Sequence, residues 1–168
     1  LIFTATYNEK ENIRKLIKKI FYICPESHIM IIDDNSPDKT SSEIKILKKK
    51  FKNIFLLERP SKLGLDTAHK RGFDFALKNK YDYFITMDAD MSHDPAEIKN
   101  FINKLKVHPF IIGSRYMKGG KCLMKKKRLI LSKYGNLFIK KILRIKCNEF
   151  TTSYLSLIHI SEPTRRPI

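Results

Sequence analysis

Residues 28–38 read His28-Ile29-Met30-Ile31-Ile32-Asp33-Asp34-Asn35-Ser36-Pro37-Asp38. An unbroken apolar run that stops at acid and passes into turn residues is the pattern of a strand buried on both faces of a parallel sheet. The same punctuation recurs along the chain. Apolar residues 1–5 lead to Thr6-Tyr7-Asn8-Glu9, residues 53–57 form another short apolar run, residues 81–87 lead to Asp88-Ala89-Asp90, and residues 110–113 lead to Ser114-Arg115. Helical spacing lies between these runs. Ile13, Leu16, Ile17 and Ile20 share one face, with Asn8 and Glu11 placed as a capping box. Ile44, Leu47 and Phe51 define a helix over 42–51. Ala68, Phe73, Ala76 and Leu77 are expected inward over 66–78. Ile98, Phe101, Ile102 and Leu105 follow a helix start at Asp94-Pro95. Strand and helix in alternation predict an α/β fold whose central sheet is mostly parallel and flanked by helices. In such sheets ligands bind beyond the carboxyl ends of the strands, where all the polar clusters fall.

The chain has 168 residues, which is one domain with a real core. Its net charge of +17 points to an anionic partner. Between Glu97 and Glu149 there is no carboxylate, while Lys and Arg abound, including residues 125–128. From Arg128 onward Leu129, Ile130, Tyr134, Leu137, Phe138, Ile142 and Leu143 predict a helix with an apolar face, interleaved with Lys133, Lys140, Lys141 and Arg144. A basic amphipathic segment of this kind suits an anionic membrane surface. A nucleic-acid role is not expected, because no stacking-aromatic or recognition-helix pattern is present and the strand ends are acidic. Cys24, Cys122 and Cys147 are too scattered for a disulfide framework or zinc site, which fits a reducing cytosol. No apolar run reaches the roughly 20 residues of a membrane span.

Asp88 and Asp90, one residue apart after a strand, are the candidate ligands of Mg²⁺ or Mn²⁺, which prefer hard oxygen donors and share them with a diphosphate. Asp34 can accept hydrogen bonds from a nucleobase or ribose, or else cap the next helix. Tyr7 can pack on a base and Glu9 can bond it, or Glu9 simply starts the first helix. Lys62, in the turn Lys62-Leu63-Gly64-Leu65, and Arg115 are cations for phosphates.

These segments occur in the order and spacing of family 2 glycosyltransferases, and the chain resembles that family over residues 1–154. The resemblance is carried by residues 5–9 (Ala-Thr-Tyr-Asn-Glu), 32–38, 62–65, 87–95 and 113–116. It is closest to the branch that mannosylates dolichol phosphate and other polyprenyl monophosphates, through the Ser36-Pro37-Asp38 turn, through Arg128, Ser132 and Asn136, and through residues 149–154. The family implies a GT-A nucleotide-diphospho-sugar transferase fold, GDP-mannose as donor, Mg²⁺ or Mn²⁺, a polyprenyl phosphate acceptor, transfer with inversion, and a peripheral place on the cytoplasmic face of a membrane. By position, Tyr7, Glu9, Ile32, Asp34 and Lys62 would hold the nucleotide. Asp88, Ala89 and Asp90 would contact donor and metal, with Asp90 and Arg115 carrying the catalysis. Arg128, Ser132 and Lys133 are the candidates for the acceptor phosphate. A related transferase using a UDP-sugar or another acceptor is the alternative. Ala5, Asp66, Ser92 and Glu149 stand where the family usually has Pro, Gly, Gln and Asp.

Both ends depart from this pattern. Leu1 opens inside an apolar run, as if a strand had been cut. Residues 155–168 resemble the in-frame translation of a sequencing-library transposon adapter, so the catalytic domain is assigned to 1–154 and residues 155–168 are expected to pack against nothing.

Overall fold

In a computed structural model the chain is described at residues 1–114, 126–144, 147, 149, 150, 152 and 154–158, with 126–129 and 158 in backbone only. The element order is β1 (Ile2–Thr6), α1 (Lys10–Ile23), β2 (Ile29–Asp33), α2 (Thr40–Lys50), β3 (Ile54–Glu58), α3 (Leu65–Lys78), β4 (Tyr83–Thr86), a 3-10 turn (Pro95–Glu97), α4 (Ile98–Leu105), β5 (Phe110–Ile112), α5 (Lys126–Leu143) and β6 (Leu155–Ile158). The six strands form one sheet in the order β3-β2-β1-β4-β6-β5. β3, β2, β1 and β4 run parallel, and β6 runs antiparallel to both neighbours. The register aligns the strand ends, with Thr6 opposite Asp33 and Asp33 opposite Glu58.

Helices cover both faces because the central strands are apolar on both. On one face Ile13, Leu16, Ile17 and Ile20 of α1, Ile44 and Leu47 of α2, and Ile98 and Phe101 of α4 pack over Ile2, Ile29, Ile31 and Ile85. On the other, Phe3, Met30, Ile32 and Phe84 meet α3 through Ala68 and Ala76.

Three expectations are corrected here. Phe73 and Leu77 do not point inward on α3; they are partly exposed, and the buried stripe is Ala68, Gly72 and Ala76. The reason is close approach: a Cβ on Gly72 would lie 2.4 Å from the Phe3 ring. Asn8 and Glu11 form no capping box. Helix α1 starts from the carbonyl of Glu9, which accepts from the amides of Asn12 and Ile13, while Asn8 has a left-handed φ of 61° and gives its amide to Ser36 Oγ at 3.0 Å. Finally, of the stretch expected to pack against nothing, residues 155–158 do pack, and residues 159–168 lie outside the described residues. Leu155–Ile158 form β6 between β4 and β5, with Leu157 in the α3-side core and Ser156 fully buried. The alternation Leu-Ser-Leu suits a strand, and the open ladder edges of β4 and β5 supply its partners.

Candidate active site

The strand order reverses at β1, whose neighbours are β2 and β4. A crevice at such a switch point, outside the carboxyl ends, is where α/β sheets place ligands. The residues just beyond β1, β2, β3 and β4 therefore build the site.

Asp33 and Asp34 divide their tasks. Asp33 is buried and spent internally. Its Oδ1 accepts from Thr6 Oγ1 at 2.7 Å and Ser36 Oγ at 2.6 Å, and its Oδ2 accepts from the Ser36 amide at 3.0 Å. It shapes the turn. Asp34, also nearly buried, is paired with a cation from the next strand end. Its Oδ1 accepts from Arg59 Nε in an ion pair whose side chains are 9% and 8% exposed. Sequence reasoning missed Arg59. Its signal was positional, since it directly follows the end of β3 as the other site residues follow theirs.

Tyr7 stands at the end of β1, 40% exposed, and the Lys62 ammonium lies 3.9 Å from its ring centroid. The structure thus joins two residues that the sequence assigned to different parts of the nucleotide, as a cation–π pair. Glu9 accepts from Asn12 Nδ2 at 2.9 Å, and its amide donates to Thr40 Oγ1 at 3.0 Å. Ile32 lies within β2 with its side chain in the core, so the main chain is what it presents near the crevice. Asp66 sits in the first turn of α3, next to Gly64, whose φ of 92° turns the chain into that helix.

Beyond β4 the main chain turns at Met91, with φ 65°. The Asp90 carboxylate accepts the Ser92 amide at 2.9 Å, which fixes this turn. Asp88 is partly exposed, Ala89 buried, and Asp90 exposed. His93 Nε2 lies 3.6 Å from Asp88 Oδ2. Among the described residues no group of three or more His, Cys, Asp or Glu converges to hold a metal. Two carboxylates one residue apart at a strand end nevertheless fit Mg²⁺ or Mn²⁺, which are bound by one or two carboxylates plus phosphate and water.

Arg115 lies outside the described residues. Arg128 is placed as backbone in α5, Ser132 is half-buried and Lys133 exposed. Helix α5 is tied down by buried Asn136, whose Oδ1 accepts the Phe150 amide at 2.7 Å and whose Nδ2 donates to Glu149 Oε1 at 3.3 Å. Ile130, Leu131, Tyr134, Leu137, Phe138 and Ile142 are exposed. Among the described residues no helix is long and apolar enough to cross a membrane.

A mostly parallel six-stranded sheet flanked by helices, with paired acids beyond β4, is the GT-A nucleotide-sugar transferase architecture. The chain belongs to glycosyltransferase family 2, matching the description Glycosyl transferase family 2 over residues 1–157. It is 34% identical over 159 residues to polyprenol monophosphomannose synthase of Mycolicibacterium smegmatis, covering 92% of this chain and 59% of that protein. It is 30% identical over 155 residues to undecaprenyl-phosphate mannosyltransferase of Micrococcus luteus, covering 92% and 64%. The chain thus spans less than two thirds of the length of these relatives. In fold it is similar to glucosyl-3-phosphoglycerate synthase of Mycobacterium tuberculosis in complex with Mn²⁺, UDP and phosphoglyceric acid (TM-score 0.64, 13% identity, 94% of this chain and 54% of that one). It is also similar to a mannosyltransferase from Pyrobaculum calidifontis in complex with GDP-mannose and Mn²⁺ (TM-score 0.53, 20% identity, 64% and 32%).

Proposed function

We propose that this chain is the nucleotide-sugar-binding part of an inverting glycosyltransferase that moves mannose from GDP-mannose to a dolichyl or other polyprenyl phosphate at a membrane surface. The observation that carries the proposal is the division of carboxylates across the switch point. Asp34, an acceptor-only group, follows β2 on one side of β1, and Asp88 and Asp90 follow β4 on the other. A base with N–H donors suits the first, and a diphosphate carrying a divalent ion suits the second. The relatives named for polyprenyl phosphates and mannose support the donor and acceptor.

In this reading Tyr7 is the platform for the base and Glu9 and Asp34 accept its donors. Asp88 and Asp90 hold the ion, which when bound neutralises charge on the departing diphosphate. Arg115 would pair with the same phosphates. A hydroxyl nucleophile needs a base to take its proton, but a phosphate monoester has already lost its second proton near pH 7, its pKa being about 6. The absence of any carboxylate in residues 98–148 agrees with a base-free attack. Arg128, Ser132 and Lys133 would bind the acceptor phosphate. The exposed apolar residues and lysines of α5 would rest on the cytoplasmic face of an anionic bilayer.

The test is transfer of radiolabelled mannose by the full-length protein, side by side to polyprenyl phosphate and to the free polyprenol, with a UDP-sugar as a parallel donor. Transfer to the phosphate and not to the alcohol is expected. Comparable transfer to the alcohol would overturn the acceptor class and the base-free attack, and transfer from the UDP-sugar alone would overturn the donor.

A further inference from the structure

We infer that Arg59 is a positioning residue for recognition of the donor's base, holding Asp34 and the Lys62 loop in one arrangement; this rests on the reading of Asp34 as the base acceptor. Three donors of one guanidinium tie together three parts of the crevice wall. Nε donates to Asp34 Oδ1 beyond β2, Nη1 donates to Thr67 Oγ1 on α3 at 2.6 Å, and Nη2 donates to the Gly64 carbonyl at 3.0 Å. The Arg59 amide also donates to the Asp33 carbonyl at 2.8 Å, which pins its own strand end to β2. The Thr67 hydroxyl bonds back to the carbonyls of Leu63 and Gly64, both at 2.9 Å. The loop that carries Lys62 over Tyr7 is therefore fixed to the group that fixes Asp34.

The arrangement differs from a surface ion pair. Arg59 and Asp34 are each about nine-tenths buried, and the planar fork is used in three directions at once. Because Nε, Nη1 and Nη2 all donate within the protein, Arg59 acts on the ligand through Asp34 and the loop. Among the described residues Asp34 Oδ2 receives no hydrogen bond, so the pair leaves one carboxylate oxygen for a base and sets its direction. Guanine offers N–H donors at the edge a carboxylate reads, whereas adenine places an acceptor at N1. The orientation of Asp34 should therefore govern the choice between them.

The experiment compares GDP, ADP and inorganic pyrophosphate binding by calorimetry in the full-length protein and its Arg59→Lys, Thr67→Val and Asp34→Asn variants. Arg59→Lys keeps the charge and loses the fork. It is expected to weaken GDP about tenfold, the scale of one misplaced charge-assisted hydrogen bond, to shrink the preference for GDP over ADP, and to leave pyrophosphate unchanged. Thr67→Val, at an exposed site, is expected to shift the same ratio by a smaller factor, and it serves if Arg59→Lys does not fold. A purely structural role would reduce GDP and pyrophosphate binding together, and that result in either variant would overturn the inference. Weak GDP binding in Asp34→Asn with both other variants unchanged would overturn the role of Arg59 alone. Parental GDP binding by Asp34→Asn would overturn the base reading itself.

Discussion

His93 Nδ1 accepts the backbone amide of Asp88 at 2.9 Å, while Nε2 of the same ring faces Asp88 Oδ2 at 3.6 Å. An Nδ1 that accepts has no proton, so the neutral ring carries its hydrogen on Nε2, toward the carboxylate. The ring is stacked on Tyr154, with centroids 4.7 Å apart and planes within 10°, and Tyr154 gives its hydroxyl proton to the Asp94 carbonyl at 2.9 Å. Orientation of a candidate metal ligand thus depends on a residue from the far end of the chain.

His93→Phe keeps the stack on Tyr154 and removes both nitrogens. Leaving the Asp88 amide without its acceptor should cost about 1–3 kcal/mol in urea unfolding. Mn²⁺ affinity, followed by electron paramagnetic resonance, should fall about tenfold, as for other groups that orient a ligand from behind. Unchanged Mn²⁺ binding would remove His93 from the site.

Asp90→Ala should eliminate metal-dependent transfer and leave the fold intact, because the side chain is exposed and its hydrogen bond is confined to the Ser92 turn. Circular dichroism and transfer assays on the same sample check both halves, and parental turnover would refute the metal assignment.

Replacing exposed apolar residues of α5 by Ser tests the membrane. Leu137 and Phe138 are 59% and 66% exposed on α5, so changing both to Ser should leave thermal stability alone. Sedimentation with anionic liposomes should drop, since interfacial burial adds to roughly 1 kcal/mol per nearby Lys or Arg. Equal sedimentation with neutral and anionic vesicles would reject electrostatic docking.

The acid limb of stability should carry the mark of Asp38 and Glu58. Burial pushes Asp38 upward, but the Thr40 hydroxyl, the amides of Lys10 and Thr40 and the Lys10 charge outweigh it and hold the carboxyl below its ordinary 3.8. A hydrogen bond from Lys45 leads the lowering of Glu58 from 4.5, against some burial. Both groups bind protons less readily folded than unfolded, so their contribution is complete above about pH 4.5 and disappears as pH falls through the lower folded values. Melting temperature against pH should be flatter below pH 4 in Asp38→Asn.

Removing residues 155–168 should lower the melting temperature by several degrees, because β6 pairs with both β4 and β5. The Ser156 hydroxyl is buried and has no hydrogen-bond partner among the described residues, so Ser156→Ala should raise stability by about 1 kcal/mol. A truncated chain as stable as the full one would support a domain ending at residue 154.

The parallel core was legible because its strands, buried on both faces, leave continuous apolar runs, and each run ends in polar residues at one sheet edge. Asp34, Asp88 and Asp90 could be placed beyond the strand ends that way. Arg59 had only its position after β3 to mark it among many cations, since its partners Asp34 and Gly64 are brought to it only by the fold. The facing of α3 was misjudged because large apolar residues normally mark the buried stripe, whereas contact with Phe3 selects Ala68, Gly72 and Ala76. β6 was missed because origin was weighed and shape was not: Leu-Ser-Leu-Ile has the alternation that a vacant ladder accepts.

The strand order also sets a timetable for the growing chain. β1 to β4 can pair as each crossover is completed, but among the described strands β5 has no ladder neighbour except β6. From the synthesis of β5 until residues 155–158 emerge, the edge of β4 and both edges of β5 stand open. At roughly 5–20 residues per second that interval lasts a few seconds. Open strand edges invite pairing with other chains, so insertion of β6 closes the edge of β4 and one edge of β5 to such contacts.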